Sequence, residues 1–169
     1  MSDHDKQEGP AYDRFADKAK EFFAKSSEQS LSSLEKAIES AKEHLIKAGE
    51  LSQQQAEHFK VFLRRDLEQA AKNVHHWGEV TSEQVKENLK PAKLQAGFLD
   101  LTAHLSHSAS DLFNKLAEWA DTTACYKTGQ VTAPGVLRCR QCDKEMHFKK
   151  SGNIPPCPGC KATEFRRVS

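Results

Sequence analysis

The sequence predicts a mainly α chain, a long antiparallel helical hairpin with a third helical arm, ending in a small C-terminal β ribbon. Three observations predict it. Apolar residues recur at steps of three and four through most of the chain before Cys125, which is the period of a helix face. Four of the five cysteines fall as two C-x-x-C pairs, at 139/142 and 157/160. Hydrophobic content is 37% and charged content 29%, a balance that suits helices with narrow apolar seams better than a thick core.

Residues 1–10 lack apolar anchors and end in Gly9-Pro10, so they read as a disordered tail. A helical domain over 11–125 follows. Its first apolar residues fall at 12, 15, 19 and 22, and the pattern restarts at 31, 34, 38, 41, 45 and 48. The two registers do not match. Either one long helix shifts register or two helices meet near Ser26–Ser30. The lack of Gly or Pro between them favours the long helix. Gly49 supplies a stop in the left-handed conformation. Ser52 opens the next helix, with Gln55 three residues on in capping-box position. That helix carries Ala56, Phe59, Leu63, Leu67, Ala70, Val74 and Trp77, and its short connection makes it an antiparallel neighbour of the first. On these lengths Tyr12, Phe15, Phe22 and Phe23 project beyond the second helix as an apolar patch for a partner. A third helical stretch starts near Thr81 or Ser82, is interrupted at Pro91 and resumes through Phe98, Leu101, Leu105, Leu112, Phe113, Leu116 and Trp119. "KTGQVTAPG" places a linker at 126–135.

Residues 136–169 form the ribbon. The spacing C-x2-C-x14-C-x2-C makes Cys139, Cys142, Cys157 and Cys160 a metal-ligand set. A two-residue gap lets one tight turn aim both sulfurs at one ion, and two such turns complete a tetrahedron that suits zinc. A four-thiolate sphere has no open position, so one structural Zn2+ per chain is expected, with no catalytic role. Two alternatives stay open. "CPGC" also suits a rubredoxin-like iron redox site, and His147 lies close enough in sequence to replace a cysteine. Cys125, outside both pairs, reads as a small seam residue.

Net charge is +1, divided between +6 from Tyr126 onward and −5 before it. Arg138, Arg140, Lys149, Lys150, Arg166 and Arg167, interleaved with Phe148 and Phe165, make the ribbon a candidate nucleic-acid or partner surface. His104 and His107 with Asp100 and Asp111 share a helix face, where ion pairing explains them as well as a metal does. The adjacent His75 and His76 point apart on a helix. No P-loop, Gly-rich dinucleotide turn, H-E-x-x-H or nucleophile elbow is present. The expectation is therefore a non-enzymatic interaction or adaptor module that self-associates or binds a protein, takes no small-molecule substrate and avoids membranes. The paired cysteines and the polar, acidic opening "MSDHDKQEGP" fit a reducing cytoplasm.

The stretches "IKAGELS", "LRRDLEQ", "YKTGQVTAPGVLRCRQC" and "IPPCPGCKATEFRR" resemble the bacterial YbeL-like zinc-ribbon family, whose members have no assigned function. The resemblance spans about Tyr12 to Arg167. It implies a cytoplasmic bacterial protein, assigns the four metal ligands to Cys139, Cys142, Cys157 and Cys160, and supplies no catalytic residue. One departure from the usual knuckle is visible. Asp143 and Lys161 follow the second cysteines, where a glycine suits a positive φ.

Overall fold

The computed structural model describes residues 3–77, 97–108, 110–119 and 124–168. Among the described residues five helices precede six short strands: α1 Asp3–Ala24, α2 Leu31–Lys47, α3 Gln53–Trp77, α4 Gly97–Ser108, α5 Ser110–Trp119, then β1 Tyr126–Lys127, β2 Val131–Thr132, β3 Gly135–Cys139, β4 Glu145–Phe148, β5 Gly152–Asn153 and β6 Glu164–Arg167. The mainly α class with a C-terminal ribbon is the one the sequence predicts. The expected helix start at Thr81 or Ser82 and the break at Pro91 lie outside the described residues. So do the side chains of Val74, His75, His76, Trp77, Asp100, His107 and Trp119.

The single long first helix does not form. Serine competes for local backbone bonds and favours caps over helix interiors. Accordingly Ser26 N–H closes α1 on Phe23 O at 3.0 Å, and Ser30 caps α2 by accepting from Ser33 N–H at 3.2 Å. The register mismatch marks this break. α1 folds back antiparallel to α2, with Phe22 edge-on to His44 at 6.0 Å and Arg14 paired to Glu50 at 3.4 Å.

The α2–α3 turn follows the sequence closely. Gly49, at φ +72, sends its N–H to Ile46 O, and Glu50 N–H goes to Leu45 O, both at 3.0 Å. This is a Schellman ending. Ser52 and Gln55 exchange side-chain and backbone bonds at 3.2 Å, completing the capping box. The antiparallel pairing of α2 with α3 is marked by Lys42–Glu57, Lys60–Glu39 and Arg64–Glu35.

One apolar core gathers all five helices. Phe59 on α3 meets the edges of Tyr12 and Phe15 with ring centroids at 5.6 and 6.2 Å. Phe23 meets His104 of α4 at 6.0 Å. Tyr12, Phe15 and Phe23 are fully buried and Phe22 is half-buried. The projecting partner patch expected at these four positions is therefore absent, because it presupposed the long helix. Once α1 turns back, its aromatics become interior, and α4 packs on α1 rather than extending away as an arm.

Two further boundaries differ from expectation. Residues 3–10, read as a tail, are the first turns of α1, which runs through Pro10. Asn153 donates to Glu8 at 2.8 Å, and a side chain on Gly9 would collide with the Ser151 carbonyl. Residues 126–135, read as a linker, are structural too. β1 pairs with β6 and β2 with β5, while Gly129 N–H and Ile154 N–H bond to Ile154 O and Gln130 O at 2.9 Å.

The ribbon's larger sheet runs β1-β6-β3-β4, all antiparallel. It is fastened to the helices by a buried polar cluster. Asp66 of α3, with no exposed surface, accepts from Tyr12 Oη at 2.8 Å and from Ala133 N–H at 2.9 Å. Arg65 Nε lies 3.2 Å and Arg167 Nη1 3.7 Å from its other oxygen. The Arg65 guanidinium stacks on the Tyr126 ring at 3.8 Å and donates to Gln130 Oε1 and Val131 O at 2.8 and 3.1 Å. Arg167 reaches Thr132 Oγ1 at 3.3 Å and the Pro134 carbonyl. Burial, then the Asp66 charge, raises the pKa of both the Tyr12 and the Tyr126 phenols. A second tie joins Ser151 to buried Asp13 at 2.8 Å. Burial pushes the Asp13 carboxyl up, against the Ser151 hydroxyl and the Phe98 N–H.

Candidate metal centre

Cys139 ends β3, Cys142 follows one tight turn later, and Cys157 and Cys160 flank an equivalent turn before β6. The two turns match position by position. Asp143 N–H returns to Cys139 O at 3.2 Å, and Lys161 N–H to Cys157 O at 2.9 Å. Cys139 N–H donates to Lys144 O and Cys157 N–H to Ala162 O, both at 2.9 Å. Gln141 N–H points at Cys139 Sγ and Gly159 N–H at Cys157 Sγ, each at 3.4 Å. Asp143 and Lys161 take φ +56 and +64, so the knuckle geometry holds although neither is glycine. A lysine in this conformation costs about 1–2 kcal/mol. Lys161→Gly should therefore raise ribbon stability by about 1 kcal/mol, part of the gain being lost to glycine's freedom when unfolded. A thermal melt of the zinc-loaded protein checks it, and an unchanged or lower midpoint counts against a strained knuckle.

The four sulfurs lie within 4.8 Å of one another. Cys139–Cys160 and Cys142–Cys157 approach to 3.5 Å. Thiolates 2.3 Å from a tetrahedral zinc stand about 3.8 Å apart, so the donor set fits that ion. Among the described residues this is the one cluster of three or more His, Cys, Asp or Glu side chains arranged to hold a metal. Backbone N–H groups of Cys160 and Gly159 draw the Cys157 thiol down to about 6. At Cys142 the Lys144 N–H pulls downward, but the crowding thiols of Cys160 and Cys157 together push it up to about 12. Four thiols this close resist full ionisation until a cation joins them.

A profile described as "Zinc-ribbon containing domain" matches residues 21–169. The chain belongs to the zinc-ribbon containing domain family. Family and sulfur geometry together indicate zinc binding, in agreement with the resemblance in the sequence. The chain is 25% identical over 130 residues to "Uncharacterized protein YbeL" of Escherichia coli strain K12, covering 77% of this chain and 79% of that protein. The proteins of the same name from strains O6:H1 and O157:H7 align with the same identity and coverage. No solved structure matches the chain.

Within this zinc-ribbon domain the six basic residues singled out as a contact surface do not form one face. Arg138 pairs with Glu145 and Arg166 with Asp143 at 3.4 Å. The Arg167 side chain is 3% exposed and belongs to the Asp66 cluster. Arg140, Lys149 and Lys150 lie at exposed positions. His147 is exposed beside Glu145, outside the sulfur cluster. Cys125 is half-buried, its sulfur 3.9 Å from Tyr126 O. Sequence reasoning missed Asp66. The available signal was a carboxylate next to the Leu63–Leu67 seam, directly after two arginines, inside a stretch that also carries the family resemblance. Among the described residues no helix is long and apolar enough to cross a membrane.

Proposed function

We propose that this is a non-enzymatic interaction protein in which one structural zinc ion per chain holds the ribbon in the shape that caps the helices. The observation that carries this reading is the closed donor set. Four cysteine sulfurs fill a tetrahedral sphere and leave no position for water or substrate. The ion then acts through the fold. It ties β3 to the strand that carries Arg167, and Arg167 reaches Asp66. Thiols that must stay reduced to bind zinc support a reducing compartment such as the cytoplasm for this reading.

The interaction partner in this reading is a second copy of the chain. Val61 is 63% exposed and lines a groove between α2 and α3 whose α2 wall carries Glu35 and Glu39 and whose α3 wall carries Lys60 and Arg64. Those charges already pair within the chain, Lys60 with Glu39 and Arg64 with Glu35, so the surface left for a second copy is the apolar one around Val61, and a two-fold axis sets Val61 of each copy against the groove of the other. Elemental analysis should find about one zinc per chain, the count set by a four-thiolate site. Light scattering should find a dimer that Val61→Glu returns to monomer. Iron as the bound metal sinks the zinc assignment, and a wild type that stays monomeric at high concentration sinks the dimer.

A further inference from the structure

The two cysteine turns are alike in backbone but not in side chains, and the difference has a single physical cause. Gly159 in the second turn occupies the position of Gln141 in the first, and Lys144 in the first occupies that of Ala162 in the second. Each member of a pair makes the same backbone contact: Gln141 and Gly159 N–H to sulfur, Lys144 and Ala162 O from the first cysteine. Gly159 does not need glycine for its backbone, because its φ is not positive. It needs the space. A Cβ there would stand 3.1 Å from Lys144 Cδ, 3.4 Å from Cys142 Sγ and 3.8 Å from Cys157 Sγ. The Lys144 stem thus lies against the opposite knuckle, beside the sulfurs.

We propose that Lys144 is a positioning residue that closes the metal centre and controls how readily zinc leaves it. The assignment rests on the zinc reading of the four cysteines. Lys144 joins both knuckles. Its N–H bonds to Cys142 Sγ and its carbonyl accepts from Cys139 N–H, while its side-chain stem runs over the surface against Gly159 of the second turn, both residues being exposed. Cys142 and Cys160 are the exposed ligands, whereas Cys139 and Cys157 are buried, and Cys142 is the exposed ligand beside which the Lys144 stem lies, so a competing chelator that enters at Cys142 meets the stem. Four thiolates on a divalent ion carry −2, and the ammonium ends two bonds beyond a carbon that touches the knuckle. Stem and charge therefore act together: the stem hinders entry, and the ammonium stabilises the anionic cluster.

The test is zinc transfer from the full-length protein to an excess of a colorimetric chelator, with zinc content measured first. Lys144→Ala leaves both backbone bonds in place and removes only stem and charge, so it should release zinc about 10-fold faster, the low end of the range for lost support behind a ligand. Lys144→Met, which keeps the stem and drops the charge, should fall between Ala and wild type. Far-ultraviolet circular dichroism before chelation shows that each variant starts folded. Gly159→Ala gives a second route, since its methyl group must displace the stem and so should also speed release. If Lys144→Ala and Gly159→Ala both release zinc at the wild-type rate, the assignment is wrong and the Lys144 side chain is a bystander. A wild type that holds no zinc overturns the reading of the site itself, and this proposal with it. A loaded wild type with unresponsive variants overturns this proposal alone.

Discussion

Replacing Asp66 by Ala should cost the folded chain about 3–5 kcal/mol, the range for removing one partner from a buried ion pair. The carboxylate has no exposed surface, and the two arginine side chains beside it are 13% and 3% exposed. Without it Arg65 and Arg167 keep their charge in a place water reaches poorly. Tyr12 Oη and Ala133 N–H lose their acceptor as well. Tyr12→Phe, which removes one hydrogen bond and leaves the charges balanced, should cost only about 1 kcal/mol. The pair separates loss of charge from loss of packing. Denaturant unfolding of both variants reads the difference. A double-mutant cycle with Arg167→Met should recover part of the Asp66→Ala loss, because the stranded cation goes too. If Asp66→Ala costs no more than Tyr12→Phe, the cluster is not the fastening described above.

The second large effect belongs to the metal. Cys157→Ser removes a ligand, and a small ribbon that depends on zinc for its folding energy should then unfold. On sequence alone the helices are expected to survive with their circular dichroism nearly unchanged, because a linker separates them from the ribbon. The docking alters the second half of that expectation. Helical signal at room temperature should persist, since the helical core is gathered from five helices. Its thermal midpoint should fall by roughly 10 °C or more, because the Asp66 cluster dissolves with the ribbon and each kcal/mol is worth about 2–4 °C in a chain of this size. Chelation of zinc from the wild type should have the same effect. A Cys157→Ser melt that overlays the wild type would show that ribbon and helices are energetically separate.

The legible parts of this fold are those with strong local chemistry. The cysteine spacing, Gly49 and the Ser52–Gln55 box each follow from contacts within a few residues, and the structure reproduces all three. The misread parts depend on tertiary context. Positions 126–135 look like a linker because two-residue strands carry no period, and their hydrogen bonds go to residues 152–154 and 163–165. Residues 3–10 look like a tail because their partners, Ser151 and Asn153, lie at the other end of the chain. The break between α1 and α2 is legible in the sequence. Two incompatible heptad registers on either side of a serine-rich stretch already argue for a break, and only the missing Gly or Pro argued against one. A long first helix would also leave Tyr12, Phe15, Phe22 and Phe23 outside, whereas the break lets α1 turn them inward.

The tie between the first helix and the last quarter of the chain sets an order of events during synthesis. Glu8 meets Asn153 and Asp13 meets Ser151 across 145 and 138 positions of sequence. A ribosome adding roughly 5–20 residues per second delivers one end of these contacts many seconds before the other. Until then the Gly9 face of α1 and the Asp13 carboxylate have no ribbon to meet. Asp66 likewise waits for Ala133 and Arg167. The nascent chain leaves the ribosome with helices already able to pair but with their polar anchors unmatched. With the structural zinc proposed above, its capture by the last cysteines to emerge, Cys157 and Cys160, is the step that closes the ribbon on these anchors.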